Sequence, residues 1–269
     1  MPFDSFTTIR GRVPHGTSIV LGAIPIAAMF LGWYLLTLGA PEERRIAPTI
    51  LPSPVEVAQS IPELIEARSL PHHIWSSIRR VGLSFLLSLI IVLPLGILMG
   101  AFGSVGAVFT PVSTASGYIP IATLVPLTMS WFGIDELQKI MFLAMAFGIY
   151  LLPLVVNAIE SVPEVYLRTS YTLGASRLDV IRRVLIPIAL PDLWHAMRLA
   201  FGVGWTYIVL AEVVVMVDGL GFLVQNSFRR GPREHIYLVI LVITLIAWAA
   251  DLAWKRLGQI LFPYRQDLS

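Results

Sequence analysis

Residues 168–193 read RTSYTLGASRLDVIRRVLIPIALPDL and lie between two strongly apolar stretches. Ser176 followed by Asp179 at the third helical position fits a capping box, in which the hydroxyl takes the N3 amide and the acid reaches back. Leu178, Ile181 and Leu185 recur at i, i+3 and i+7, the spacing of one helical face. Arg177, Arg182 and Arg183 fall on other faces. Pro187, which lacks an N–H and restricts the residue before it, is expected to end this helix. Gly174, just ahead of the cap, suits a turn or a close backbone approach. The segment therefore reads as two short helices hinged at Gly174, the second carrying an apolar ridge flanked by arginines. Such a helix fits a groove on a soluble partner. It fits equally a position flat on anionic headgroups.

The rest of the chain explains where such a segment sits. Of its 269 residues, 56% are hydrophobic and only 13% charged, with a mean hydropathy of +0.78. A water-facing domain carries about 25% charged residues, so a bilayer is the solvent that this composition fits. Six stretches are long and apolar enough to span it: Ser18–Leu38, Val81–Phe102, Val105–Trp131, Leu137–Ala158, Leu193–Val217 and Ile236–Leu257. Arg10 and Arg12 precede the first, whose apolar run is too long for a secretion signal, and it reads as a retained span. Between the first two spans, Pro54–Glu66 is amphipathic and is expected along the membrane interface or on the protein surface. The fold class is thus an all-α membrane protein of about six transmembrane helices. Its divisions are an N-terminal tail (1–17), a first helix (18–39), a linker (40–80), a five-helix core (81–258) with a loop at 160–192, and a C-terminal tail (259–269).

Several chemistries are excluded. Cysteine is absent, and the five histidines (His15, His72, His73, His195, His235) show no metal-ligand spacing. A net charge of +2 without a long basic run leaves no nucleic-acid footprint. The lysines, Lys139 and Lys255, lie outside any GK[ST] context, so the chain has no phosphate-binding loop of that kind. Charge bias does not orient the chain. With the N-terminus inside, ten Lys/Arg fall inside and nine outside.

The loop resembles the EAA signature, EAA-x3-G-x9-I-x-L-P, of the permease subunit of bacterial ABC importers. Gly174 takes the glycine, Val184 the isoleucine, Ile186 the leucine and Pro187 the proline. TLGASRLDVIRRVLIPIALPDL is similar to the form in the nitrate/sulfonate/taurine class. LPSPVEV, SSIRRVGLSF, IPIATLVPLTMSWFG and AEVVVMVDGLGFLVQ extend the likeness over residues 48–260. The EAA triad itself falls on Arg168, Thr169 and Ser170, so the family glutamate's role is not carried onto Arg168.

The resemblance implies a type I importer permease fold in a bacterial inner membrane, with both termini cytoplasmic. It implies a homodimer with a second permease copy, two ATPase subunits that bind the ATP and magnesium, and an extracytoplasmic binding protein. No cofactor is expected in this chain. The loop would be the cytoplasmic coupling helix, its contact residues being Thr172, Leu173, Gly174, Ala175, Ser176, Arg177, Asp179, Val180, Arg183 and Pro187. The cargo suggested is a small anion such as a sulfonate, nitrate or bicarbonate.

Ionisable and hydroxyl groups at membrane depth supply the pathway candidates. Glu212, after Trp205 and Tyr207 in the fifth span, is read as a pathway or gate residue, or as a hydrogen-bonding anchor between helices. Tyr118 and Thr123, among the prolines of the third span, line the route or serve helix packing. Asp251 is expected to pair with Lys255 one turn later. Gly219 and Gly221 suit a sharp re-entrant turn, with Phe222 and Leu223 plugging the outer mouth. Arg229, Arg230 and Arg233 then either dock the binding protein or belong to a solvated loop, and Arg79 and Arg80 invite the same two readings. A self-sufficient secondary transporter would need paired intramembrane charges or two related halves, and neither is seen. A membrane enzyme would need clustered acids and histidines, which here are scattered.

Overall fold

The computed structural model describes residues 13–264 apart from 41, 43, 45, 215 and 216, and omits the side chain of His15. Arg10, Arg12, Arg45 and Arg265 lie outside the described residues. The described chain is helical: α1 His15–Leu36, α2 Pro54–Gln59, α3 Ile61–Glu66, α4 Leu70–Ala101, α5 Gly103–Ser116, α6 Leu124–Phe132 and α7 Glu136–Glu160. There follow α8 Glu164–Thr172, α9 Arg177–Val180, α10 Ile186–Val214, α11 Leu220–Arg230 and α12 Glu234–Leu261. Among the described residues, five helices are long and apolar enough to cross a membrane, or six if α5 and α6 form one broken span.

One expectation fails on helix geometry and one stretch is broken. The third apolar stretch bends at its prolines, where α5 and the stretch Ile121–Phe132 meet at 89°. Pro120 is extended (φ −63°, ψ 110°) at the break, and a proline here removes a ladder hydrogen bond. Pro187 does not end its helix. The chain passes from α9 through a π-turn at Ile181–Leu185 straight into α10, one continuous run from Arg177 to Val214. The wider π-turn shifts the carbonyl that the proline ring would otherwise strike, and Pro187 takes the second position of α10.

The core is built by α4, α7 and α10. Phe142, Phe147, Leu151 and Val155 of α7 are buried between Val81, Phe85 and Val92 of α4 and Leu193, Ala200 and Ile208 of α10. Close approach of α4 to α7 depends on two glycines four residues apart. A β-carbon at Gly96 would lie 2.5 Å from Val155 Cγ1, and one at Gly100 2.7 Å from Ile159 Cβ. Small residues at this spacing let membrane helices pack backbone to backbone. A second cluster joins α2, α3, α11 and α12 through Val57, Leu64, Leu220, Leu223 and Val239. The amphipathic stretch is thus two helices seated on the bundle. Its start is a complete capping box: Ser53 Oγ accepts from Glu56 N and Glu56 accepts from Ser53 N at 2.7 Å. Arg44 binds the same carboxylate at 2.9 Å, and its hydrogen bond holds Glu56 below its ordinary carboxyl range. The helix α1 is apolar and exposed along most of its length, touching the bundle at Trp33, whose indole donates to Pro52 O at 2.8 Å and stacks on Tyr237.

Candidate functional site

Where α10 ends, the chain turns sharply through Asp218 and Gly219 into α11, and a buried polar cluster holds that turn. A stripe on α4 supplies one side: Ser77, Arg80, Ser84 and Ser88 recur at helical spacing and are all buried. Arg80 is fully buried and is the hub. Its Nη1 donates to Glu212 Oε1 at 2.7 Å and to Asp218 O at 3.1 Å, and its Nε donates to Glu136 Oε2 at 2.8 Å. Nη2 reaches Glu136 Oε1 at 2.5 Å and Asp218 Oδ1. Lys139 binds Glu136 at 2.9 Å. One guanidinium therefore joins α4, α7, α10 and the turn.

The turn's backbone is satisfied by the same group of side chains. Gly221 N donates to Glu212 Oε2 at 2.8 Å, Leu220 N to Ser77 Oγ at 2.9 Å, and Gly219 N to His73 Nδ1 at 2.9 Å. Ser77 donates to both oxygens of Glu212, and Ser76 to Asp218 Oδ2 at 2.8 Å. Gly219 has φ +107°, and its α-carbon faces the Glu212 carboxylate with no space for a side chain. Burial works to raise the Asp218 carboxyl, but hydrogen bonds from Arg80 and Ser76 outweigh it and hold Asp218 below its ordinary 3.8. Buried charges are tolerated when they are paired and their remaining hydrogen-bond sites are filled. Glu212 meets both conditions, so its geometry is that of an anchor between helices. Arg80 is no docking group on the outer edge: it is fully buried, whereas Arg79 is half exposed.

The hinged loop lies at the other end of α7. Every residue of α8 is at least partly exposed, and Gly174 turns the chain with φ +83°. Ser176 Oγ accepts from Asp179 N at 3.2 Å, but it donates to Asp179 Oδ2 at 2.5 Å, so the acid binds the hydroxyl rather than reaching back to the backbone. Val180 and Leu185 are buried, while Leu178 and Leu173 are exposed, the latter at 82%. Arg183 pairs with Asp179 and Arg168 with Glu164. Thr172 donates to Thr169 O. Arg177 is exposed and Ala175 half-buried around the same turn.

The remaining candidates are dispersed. Tyr118 is 83% exposed beside the α5–α6 break, and Thr123 donates to Pro120 O. Trp205 is buried in the core, its indole N–H without a partner among the described residues. Tyr207 shares a hydrogen bond of 3.0 Å with Tyr150 of α7, a residue that the sequence reading passed over. Asp251 pairs with Arg198 of α10 through two bonds of 2.6 and 2.7 Å, not with Lys255 as expected, because helix packing brings a forked guanidinium opposite it. Leu220 and Leu223 are buried under the turn and Phe222 is half-buried, and α11 ends in exposed Arg229 and Arg230. Arg233 lies over the Phe228 ring at 4.7 Å. A cleft of about 320 Å³ opens between α4, α5 and α7, lined by Phe109, Val112 and Met145 with the hydroxyls of Ser113 and Ser116. The partners of Glu212 had one signal in the sequence, the polar stripe on an otherwise apolar α4. Tyr150 had none.

Residues 92–264 match the family described as binding-protein-dependent transport system inner membrane component. The chain is 28% identical over 266 residues to the taurine transport system permease protein TauC of Escherichia coli (strain K12), covering 97% of this chain and 95% of that one. It is 27% identical over 224 residues to a putative aliphatic sulfonates transport permease protein, SsuC, of Bacillus subtilis (strain 168), covering 82% and 80%. Among solved structures, an inward-facing MetNI methionine ABC transporter chain superposes with a TM-score of 0.66 at 20% identity, covering 75% of this chain and 98% of that chain. A multi-pass bundle with a protruding hinged loop, matched over most of its length to such subunits, belongs to the family of binding-protein-dependent transport system inner membrane components, the permease subunits of ABC importers.

Proposed function

We propose that two copies of this chain enclose the route of a small solute across a bacterial inner membrane. Two ATP-hydrolysing subunits would drive it, with a binding protein delivering the solute from outside. Residues 160–192 couple the two halves, with Thr172–Arg177, Asp179, Arg183 and Pro187 as the contact segment and Val180, which is buried, supporting it from beneath. The single observation that carries this reading is Gly174 at φ +83° joining the short exposed helix α8 to the start of the continuous Arg177–Val214 run, with Leu173 82% exposed at the tip. An apolar tip offered to water has the form of a surface awaiting a groove. Helix parity puts the start of α1, the loop and the end of α12 at one end of the bundle if each span crosses once, so a loop that docks on cytoplasmic ATPases carries both termini to the same side. The Arg80–Glu212 cluster then holds the external mouth, and Arg229, Arg230 and Arg233 stand beside it as the binding-protein contact. Tyr118, Thr123, Tyr207 and the Ser113–Ser116 cleft are the pathway candidates. Trp205 and Glu212, buried as they are, support it from behind. The substrate we favour is a small organosulfonate, in line with the relatives named for taurine and for aliphatic sulfonates.

The test is ATP-driven uptake by the full complex in proteoliposomes, with labelled taurine as cargo and its binding protein supplied. A residue with a β-carbon at Gly174 pays about 1–2 kcal/mol for the left-handed conformation. Gly174→Asp is expected to insert and assemble at wild-type levels and to lose uptake. Wild-type uptake by that variant would refute the coupling role, and uptake without any ATPase would refute the importer reading.

A further inference from the structure

Three backbone amides hold the turn between α10 and α11, and one of them depends on an acceptor that a proton can remove. Leu220 N donates to the Ser77 hydroxyl and Gly221 N to the Glu212 carboxylate. A hydroxyl does not titrate here, and a carboxyl keeps an acceptor oxygen in either protonation state. Gly219 N donates instead to His73 Nδ1 at 2.9 Å. A backbone amide only donates, so Nδ1 is bare and the imidazole neutral. A proton on Nδ1 would turn the acceptor of this amide into a donor facing it.

His73 is placed to respond to the pH outside the bilayer. The α4 helix has 32 residues, about 48 Å at ~1.5 Å per residue, against a hydrocarbon core of about 30 Å. Its first turn, which carries His73, therefore reaches past the edge of that core. The ring is buried and packs on Phe222 of α11, with centroids 5.4 Å apart. The charged and titratable groups that act on it are His72 and Arg80 of α4 and Asp218 of the turn, together with the backbone of Arg68 just ahead of α4. Asp218 draws a proton toward the ring and Arg80 opposes it, but neither gives Gly219 N another acceptor. His72 is exposed, and its Nε2 lies 3.7 Å from Asp218 Oδ2. A charge on His72 thus acts on a carboxylate that Arg80 and Ser76 already hold, and not on the Gly219 amide.

We infer that the Gly219–His73 hydrogen bond is a proton-operated latch on the entry to α11. The closed turn excludes a proton from Nδ1, whereas the released ring binds one with an ordinary value of about 6.5. The latch is therefore shut above about pH 7 and gives way as pH falls through the histidine range. Between about pH 7.5 and about pH 5.5, protonation of the released ring favours opening by about tenfold. Leu220 and Leu223 still seat α11 on Val57, Leu64 and Val239, so acid loosens the turn and leaves the bundle folded. The side from which acid acts rests on the cytoplasmic assignment of the loop; the latch itself does not.

Hydrogen–deuterium exchange of the full chain in phospholipid nanodiscs, corrected for the chemical effect of pH on amide exchange, tests it on a peptide covering residues 217–224. Protection there should fall about tenfold from about pH 7.5 to about pH 5.5, while a peptide from the middle of α7 should not change. His73→Asn places a carbonyl oxygen as many bonds from the backbone as Nδ1 and does not titrate. It should abolish the pH dependence, whether or not it holds the turn as firmly as the imidazole. His72→Asn should leave that dependence in place. Equal protection of the wild-type turn at the two pH values would overturn the inference. So would a tenfold change that persists in His73→Asn, or one that His72→Asn removes.

Discussion

Arg80 and Glu212, 132 residues apart in the chain, meet at 2.7 Å with neither side chain exposed. The same guanidinium binds Glu136 and Asp218, so its removal leaves three carboxylates without their shared cation. Breaking a buried pair from one side costs about 3–5 kcal/mol. Arg80→Ala is expected to lose that much. Glu212→Gln keeps an oxygen for Gly221 N and should cost about 1–3 kcal/mol. Thermal unfolding followed by tryptophan fluorescence checks the order, and a larger loss for Glu212→Gln would contradict the hub assignment.

Gly219→Ala and Gly202→Ala should differ in sign. The first places a β-carbon against the Glu212 carboxylate at φ +107°, while the second fills open space on a helix. The left-handed penalty alone is about 1–2 kcal/mol, and overlap adds to it. In a helix, alanine is favoured over glycine by about 1 kcal/mol. The unfolding midpoint should fall for Gly219→Ala and hold or rise for Gly202→Ala. Limited proteolysis should find the 217–220 turn opened only in the first.

Asp218 gives the turn between α10 and α11 a defined response to acid. Its carboxyl lies below the ordinary 3.8 in the fold, so its contribution is complete above that value and is lost as pH falls through the lowered one. The midpoint difference between wild type and Asp218→Asn should shrink as pH falls below about pH 4. A difference that grew on acidification would mean that Asp218 is not stabilised as an anion.

Tyr207→Phe separates stability from transport. The Tyr150–Tyr207 hydrogen bond is 3.0 Å long and lies on an exposed surface, so its loss should cost under about 1.5 kcal/mol. If the pair borders the solute route, uptake falls while the unfolding midpoint stays near wild type. Unchanged uptake removes Tyr207 from the pathway.

The loop at 164–185 was legible because its signals are local. A hydroxyl and an acid three residues apart, a glycine before them and a ridge at helical spacing depend on neighbours in sequence, and the hinge at Gly174 follows from them. The same local reasoning misplaced Pro187. A proline's effect depends on which carbonyl stands behind it, and the π-turn moved that carbonyl. Asp251 shows the other kind of error. Lys255 was the nearest cation along the chain, but Arg198 was the nearest in space.

By itself the sequence determined the membrane solvent, the order of the apolar stretches and the protruding hinge. Hydrophobic burial and helix periodicity act over a few turns and leave their pattern in consecutive residues. Only tertiary structure decided which charges neutralise one another. Arg80 had Glu136, Glu212 and Asp218 available at sequence distances of 56 to 138 residues, and helix packing brought all three to one guanidinium. Coulomb attraction depends on separation in space and on local dielectric, and neither quantity is written along the chain.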